Sequence, residues 1–453
     1  MMEPIPPVSL WPDPHALGPV TDLYQLTMMA GYRALGMADV RASFEVFVRR
    51  LPPGRSYLVF AGLEQAVGDL LNLRFSPDQV DGLRAFPAFA GVSPEFFEHL
   101  ASLRFEGDVW SVREGTVVFP GETLLRVSAP LAQAQWVETF LLASLSYTTL
   151  VASKAARIVT AARGRTLLEF GARRGHGPQT GFLAARAAYL AGFHGTSHVE
   201  AARRLKIPAS GTMAHSWVQS FPTEEAAFEA YARVFPESTT LLIDTYDTLA
   251  AARKAALIEP RIRAVRLDSG DLDALSRGVR AILDESGRPD IRIVASGDLD
   301  EYQIERLIAS GAPIDAFGVG TELITSRDAP ALSMVYKLVE SDGQGRIKLS
   351  AGKKTYPMAK QVFRRRDRDG RFAGDLVARA DELQEGERLL SPVVLGGRLV
   401  APLPRMEAIR THCADQLASL PPGLTQLDGP ADYPVTYSDL LEEDARRLME
   451  QGG

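Results

Sequence analysis

The sequence of 453 residues contains a single cysteine, Cys413. One thiol cannot form an internal disulfide, and a zinc site built from several cysteines is excluded with it. No sign of charge dominates: 50 Lys and Arg stand against 56 Asp and Glu, a formal net charge of −6. That balance gives no electrostatic basis for nucleic acid or an anionic membrane as partner, although local basic clusters can still hold small anions. Long apolar runs are also missing. The most apolar stretch, WVETFLLASLSYTTLVASKAA, is broken by Glu138, several hydroxyls and Lys154, which predicts a buried helix and not a membrane span. The N-terminal MMEPIPPVSLWPDPHALGPV lacks a basic flank followed by an apolar core, so it does not read as a secretory leader; its prolines predict an extended arm. The expected setting is the cytoplasm, with neither membrane nor nucleic acid as partner.

What is present is a repeated grammar. Hydrophobic residues make up 46% of the chain, enough for two or three cores. Between Leu167 and about Thr325, seven short apolar runs end in small or charged residues: TLLEFGARR, AGFHGTSH, IPASGTMAH, TLLIDTYDT, AVRLDSGDL, IRIVASGDL and IDAFGVGTEL. Helical segments such as DALSRGVRAILDESG and DEYQIERLIASG separate them, each closed by glycine. Successive βα units without a Gly-x-Gly-x-x-Gly fingerprint favour a barrel over an open doubly wound sheet. The fold class expected is α/β, with domains at residues 1–150 (N-terminal α+β), 151–335 (β/α barrel) and 336–453 (C-terminal hairpins and helices packing on the other two).

In a βα barrel, polar residues at the C-terminal strand ends line the mouth. The ends of the seven runs supply Phe170 and Arg173; Thr196, Ser197 and His198; Thr212, His215 and Ser216; Asp244 and Asp247; Arg266, Asp268 and Asp271; Ser296, Gly297 and Asp298; and Gly318, Gly320 and Thr321. The turns SGD and GVGT are suited to presenting backbone N–H groups to a phosphate, and barrel phosphate sites often use the final strands. Clustered Asp244, Asp268, Asp271 and Asp298 call for a cation or a hydroxyl-rich ligand, and a magnesium–sugar-phosphate would supply both; Asp271 and Asp300 read better as helix starts.

Four of the seven histidines, His176, His194, His198 and His215, fall in this window. The HGTSH spacing does not match a helical His-Glu-x-x-His zinc motif. GTMAHSWV, residues 211–218, reads as a helix start capped by Thr212, with His215 in the first turn, where free N–H groups favour an anion. On these grounds alone His215 is open to several roles: core residue, cap, base, metal ligand or phosphate-accepting nucleophile.

TDLYQLTM, FEVFVRRLPPGRSYLVFAGLEQ, EFGARRGHG, GFHGTSHVEAARRL, GTMAHSWVQSF, LIDTYDTLAAA, VRLDSGDL, FGVGTEL and YPVTYSDLL occur in that order along almost the whole chain. Together they resemble the nicotinate phosphoribosyltransferase family. The resemblance implies an irregular barrel and transfer of phosphoribose from 5-phosphoribosyl-1-pyrophosphate to nicotinate. It also implies magnesium, ATP as co-substrate, and a homodimer with shared active sites. His215 would be the phosphorylated histidine, and Tyr24 of one subunit would sandwich the pyridine with Phe170 of the other. Arg266 would face the base, Thr212 would line its pocket, and Arg173 would help hold base and phosphates. Asp244 and Asp268 would meet ribose and magnesium, Gly297, Asp298, Gly320 and Thr321 would hold ribose and its 5′-phosphate, and Ser296 and Gly318 are further substrate-binding candidates. Nicotinamide-using relatives place aspartate where Ser197 stands, so Ser197 is expected to favour an acid over an amide. One departure is visible in YPMAKQV: the family often has glycine where Met358 stands, although Lys360 is kept. A nicotinamide- or quinolinate-type relative, or a silent nucleotide-binding sensor barrel, are the competing readings.

Overall fold

The computed structural model describes residues 12–349 and 355–451; residues 1–11, most of the expected proline-rich arm, lie outside them. Six parallel strands form the central sheet, ordered Gly195–Thr196, Thr166–Glu169, Ala316–Val319, Arg292–Ala295, Ala264–Leu267 and Thr240–Leu242. The seventh apolar run does not become a strand. IPASGTMAH makes one parallel bridge, Ala209 to Thr196, because Pro208 has no N–H for a ladder. Thr212 then turns its hydroxyl onto the Thr240 carbonyl at 2.5 Å. This segment reaches from the first edge strand to the last without regular pairing, so the barrel is irregular.

Each crossover helix buries one stripe. Leu272–Glu285 turns Ser276, Val279, Ile282 and Leu283 inward, and fully burying an aliphatic side chain of this kind contributes roughly 1.5–3 kcal/mol. Asp271 caps this helix by accepting from Asp273 N and Ala274 N, each at 3.2 Å, and Gly287 follows its end with φ +66°. Asp300 caps Glu301–Ala309 in the same manner, accepting from Gln303 N at 2.7 Å. Asp247 is likewise a cap, for Thr248–Ala256, and accepts from Ala250 N at 2.7 Å.

A seven-stranded antiparallel sheet lies beside the barrel, ordered Gln344–Gly345, Met334–Ser341, Arg41–Val48, Thr123–Pro130, Asp108–Val112, Leu390–Leu395 and Arg398–Leu399. Three strands from the first part of the chain are therefore flanked on both sides by strands from its last part, and Met334–Ser341 crosses the boundary expected between residues 335 and 336. A four-stranded sheet holds the hairpin Lys360–Arg366 and Phe372–Arg379 between Glu387–Arg388 and Val435–Tyr437. The helix Glu138–Ala162 joins the two halves: Leu141 and Leu145 lie in the core of the seven-stranded sheet, while Val151, Ala155 and Ile158 lie in the barrel core. Among the described residues no helix is long and apolar enough to cross a membrane.

Candidate active site

Strand alternation builds the mouth. Ala264, Val294 and Ala316 pack together as a small separate cluster, and side chains two residues apart on a strand share a face. Stepping forward from them by twos reaches Arg266 and Asp268, then Ser296, then Gly318 and Gly320, all at C-terminal strand ends. A Cβ on Gly318 would overlap the Phe170 ring and approach Ser296 Cβ to 3.3 Å. Only glycine leaves room for that ring. Phe170 follows the strand Thr166–Glu169, and its N–H donates to Val319 O at 2.8 Å.

His215 opens a helix of five residues, His215–Gln219, whose N-cap is Ala214 and not Thr212. The hydroxyl of Thr212 is already committed to Thr240. Thr245 Oγ1 lies 3.1 Å from His215 Nδ1, and the other ring nitrogen, Nε2, lies 3.9 Å from Asp268 Oδ2. The same Asp268 oxygen is 3.6 Å from Arg266 Nη2, and its second oxygen accepts from Ser296 Oγ at 2.5 Å. Asp244 Oδ2 accepts from the Asp268 N–H at 3.0 Å and from Ser269 Oγ at 2.6 Å. The two aspartates are thus linked through backbone and hydroxyl donors, which spread their negative charge.

Arg266 is largely buried: Nη1 donates to Met213 O at 3.3 Å, and Nε has no hydrogen-bond partner among the described residues. Burial holds its guanidinium below the usual range, against the upward pull of Asp268 and Asp244. Arg173, exposed on the turn Ala172–Arg174, adds to the downward push on Arg266. The mouth consequently holds a desolvated cation with spare donor capacity beside two carboxylates. Asp244 Oδ1 is buried without a hydrogen-bond partner among the described residues, a donor atom suited to a cation. Groups of three or more His, Cys, Asp or Glu that could hold a metal ion are absent among the described residues.

The two glycine turns differ in shape. Gly297 has φ +96°, and a Cβ there would overlap the Asp268 carbonyl oxygen; Asp298 beside it is exposed with φ +47°. Gly320 is the N-cap of the one-turn helix Thr321–Ile324, leaving early N–H groups free of helical partners.

Ser197 is exposed, and its N–H donates to Glu169 O at 2.9 Å. It does not cap the helix that follows. His198 does, accepting from Ala201 N through Nδ1 at 3.2 Å. His194 Nδ1 accepts from Leu167 N at 3.1 Å. Tyr24 is not part of this cluster. It lies on the helix Leu23–Ala34, 48% exposed, and its hydroxyl donates to Glu138 Oε2 at 3.2 Å; burial and the Glu138 carboxylate push the phenol up to about 12.

Two contributors were not singled out by strand-end reading. Glu169 is fully buried, accepting from Gly171 N and, at 2.6 Å, from Thr196 Oγ1. Burial raises its carboxyl above the ordinary value. It ties the loop after Phe170 to the loop carrying Ser197. Its signal was an acid ending the apolar run TLLE. Thr245, between Asp244 and Tyr246, had no signal beyond its place at a strand end.

Models of three nicotinate phosphoribosyltransferase regions match the chain: the N-terminal domain over residues 20–146, the family region over 166–369 and the C-terminal domain over 383–444. The chain belongs to the nicotinate phosphoribosyltransferase family. It is 47% identical over 436 residues to a nicotinate phosphoribosyltransferase of Mycobacterium tuberculosis, covering 94% of this chain and 93% of that one. With the Bacillus subtilis nicotinate phosphoribosyltransferase it shares 40% over 468 residues, covering 95% of each. The solved human nicotinic acid phosphoribosyltransferase superposes with a TM-score of 0.83 at 32% identity, over 94% of this chain and 99% of that chain. Membership makes the chain a transferase with the irregular barrel described above.

Proposed function

We propose that the chain joins nicotinate to 5-phosphoribosyl-1-pyrophosphate, giving nicotinate mononucleotide and pyrophosphate for NAD biosynthesis. The observation that carries this reading is the convergence of His215, Arg266 and Asp268 within 4 Å contacts at the barrel mouth, in a chain of this family. Nicotinate stacks on Phe170 above Gly318, its carboxylate meets Arg266 with its unpartnered buried Nε, and Thr212 lines the pocket. Arg173 reaches the base and the phosphates. The ring nitrogen of nicotinate forms the new bond to the anomeric carbon of ribose as the bond to pyrophosphate breaks. Ser296, Gly297, Asp298, Gly318, Gly320 and Thr321 surround the ribose and its 5′-phosphate, with N–H groups from both glycine turns serving as donors.

ATP is the co-substrate of the same reading. A ring nitrogen of His215 attacks the γ-phosphorus, ADP leaves, and the phosphoryl group later passes to water. Thr245 orients the imidazole through Nδ1, leaving Nε2 on the side of Asp268. Asp244 and Asp268 are the residues fit to hold Mg2+, because two carboxylates, one with an unpartnered oxygen, suit an ion that shares its shell with substrate phosphates. Bound there, the ion would offset charge on the leaving pyrophosphate. Exposed Leu23, Tyr24 and Met28 on one helix favour a homodimer in which Tyr24 completes the neighbour's site. The cytoplasm, with neither membrane nor nucleic acid as partner, fits the balanced composition.

The test is to supply labelled 5-phosphoribosyl-1-pyrophosphate with nicotinate, nicotinamide or quinolinate, each with and without ATP. Labelled nicotinate mononucleotide, increased by ATP, is the expected result. Preference for either other pyridine would replace the reading.

A further inference from the structure

Behind the two glycine turns lies a buried chain of charges that touches none of the residues assigned to substrate. Glu301, 0% exposed, begins the helix after the first turn, and Asp328 follows the second. Lys154, on the helix Glu138–Ala162 and 1% exposed, joins them: its Nζ lies 2.6 Å from Glu301 Oε2 and 3.0 Å from Asp328 Oδ1. Arg157, one turn further along, donates through Nε to Glu301 Oε1 at 2.9 Å and through Nη2 to Tyr302 Oη at 2.9 Å.

Arg55 enters from the other side. Its side chain is fully buried, and Nη2 donates to both Asp328 oxygens at 3.0 and 3.1 Å and to Ser326 Oγ at 3.1 Å. Arg55 Nε and Nη1 are buried without hydrogen-bond partners among the described residues. A guanidinium held by one edge alone, at the cost of two idle donors, is a poor arrangement for stability. Three cations, Arg55, Lys154 and Arg157, here meet two carboxylates, so one positive charge is left over beneath the mouth. The turns this cluster fastens hold Asp298 and Ser326 in the left-handed region, at φ +47° and +41°, conformations that persist only when the surroundings impose them.

We propose that this cluster is a positioning device for the phosphorylated sugar: Arg55 and Lys154 set the spacing of the two glycine turns and place an excess positive charge behind the 5′-phosphate without touching it. The assignment rests on the phosphoribosyl-transfer reading. Arg55 ties the segment before the strand Leu58–Val59 to the end of the second turn, and Lys154 ties both turns to one rigid helix. The spacing of two anion-receiving turns on separate strands is thereby set by one set of ion pairs.

The experiment compares Arg55→Met and Arg55→Lys with the unaltered full-length chain. For Arg55→Met the KM for 5-phosphoribosyl-1-pyrophosphate rises about tenfold, while kcat and the KM for nicotinate stay within twofold. Arg55→Lys, which keeps the charge and loses the fork, recovers part of that loss. Calorimetric binding of ribose 5-phosphate weakens in parallel. Ser326→Gly serves as a second variant if Arg55→Met does not fold: it removes a hydroxyl from Arg55 and frees the turn, and the same KM rises. Equal changes in both KM values, a fall in kcat alone, or unchanged ribose 5-phosphate binding would overturn the proposal. Absence of nicotinate mononucleotide from the unaltered enzyme would sink the parent reading instead, and the ribose 5-phosphate measurement would still judge Arg55.

Discussion

His215 and Thr245 lie within hydrogen-bond distance, Nδ1 to Oγ1 at 3.1 Å, and this contact leaves the opposite edge of the imidazole toward Asp268. One ring nitrogen is occupied, so the other is the one presented to the mouth. Loss of a neutral hydrogen bond costs about 1 kcal/mol, or roughly fivefold in rate. Thr245→Val should therefore slow labelling by γ-labelled ATP about fivefold, and His215→Ala should abolish the acid-labile, base-stable label while leaving a slower, ATP-independent transfer. Label persisting on His215→Ala would move the nucleophile elsewhere, with His194 and His198 next in line.

Selectivity for an acid over an amide is expected to reside in part at Ser197. The cap of its helix is His198, so an aspartate at 197 gains nothing by capping. A carboxylate about 4 Å from the nicotinate carboxylate would be repelled by roughly 4 kcal/mol at an effective dielectric near 20, about a thousandfold, and the exposure of Ser197 reduces that figure. Ser197→Asp should lower kcat/KM for nicotinate at least tenfold and yield measurable nicotinamide use. An unchanged ratio of the two would assign selectivity to Arg266 and the surrounding loops.

The proposed sharing of sites between two subunits makes a prediction about mixtures. Tyr24→Ala and Phe170→Ala subunits are each expected to be inactive, and a hybrid dimer would contain one site with both lesions and one with neither. Partial recovery of activity on mixing is the expected outcome. No recovery, in dimers shown to exchange subunits, would place the whole site in one chain.

Gly297 is fixed by contact as well as by conformation. With φ +96° and the Asp268 carbonyl oxygen where a Cβ would stand, Gly297→Ala must displace either the turn or Asp268. Activity should fall at least a hundredfold with most of the far-ultraviolet circular dichroism kept. Near-normal kcat/KM would mean that the turn is free to move and does not fix the sugar phosphate.

Acid stability should depend on His412, which is held down at about 4 from 6.5, first by burial and then by Arg113. The unfolded chain takes up this proton below pH 6.5 and the folded chain resists it until about 4. Stability present above pH 6.5 is therefore lost as the pH falls across that interval. Urea midpoints across the interval should decline less steeply for His412→Gln. Parallel curves for the two proteins would shift the effect to other groups.

The barrel was legible because strand ends and helix caps are local events. Asp271 and Asp300 cap the helices they were expected to start, and Phe170, Arg266, Asp268 and Ser296 meet because each lies on the inward phase of its own strand. The seventh strand was not legible, since Pro208 permits one bridge where apolar residues promised a ladder. Thr212 is not the cap that its local sequence suggests, because its hydroxyl finds a distant partner, the Thr240 carbonyl, that no local pattern encodes. The departure at Met358 was legible and has a physical form: its φ is +66°, the left-handed region that glycine enters freely and that costs another residue roughly 1–2 kcal/mol. Glu169 and Arg55 act through neighbours far away in sequence, and only folding reveals them.

The flanking of three early strands by late ones in the seven-stranded sheet sets a timetable for synthesis. Arg41–Val48 pairs on one side with Met334–Ser341, and Asp108–Val112 pairs with Leu390–Leu395. At about 5–20 residues per second, roughly 15–60 s separate the emergence of the first pair of partners from the ribosome. During that interval an apolar strand edge stands open while the barrel units, whose contacts are closer in sequence, can already assemble. The nascent chain is thus most vulnerable to aggregation at its oldest end, and a ribosome that stalls before Met334 releases a barrel whose neighbouring sheet still lacks its closing strands.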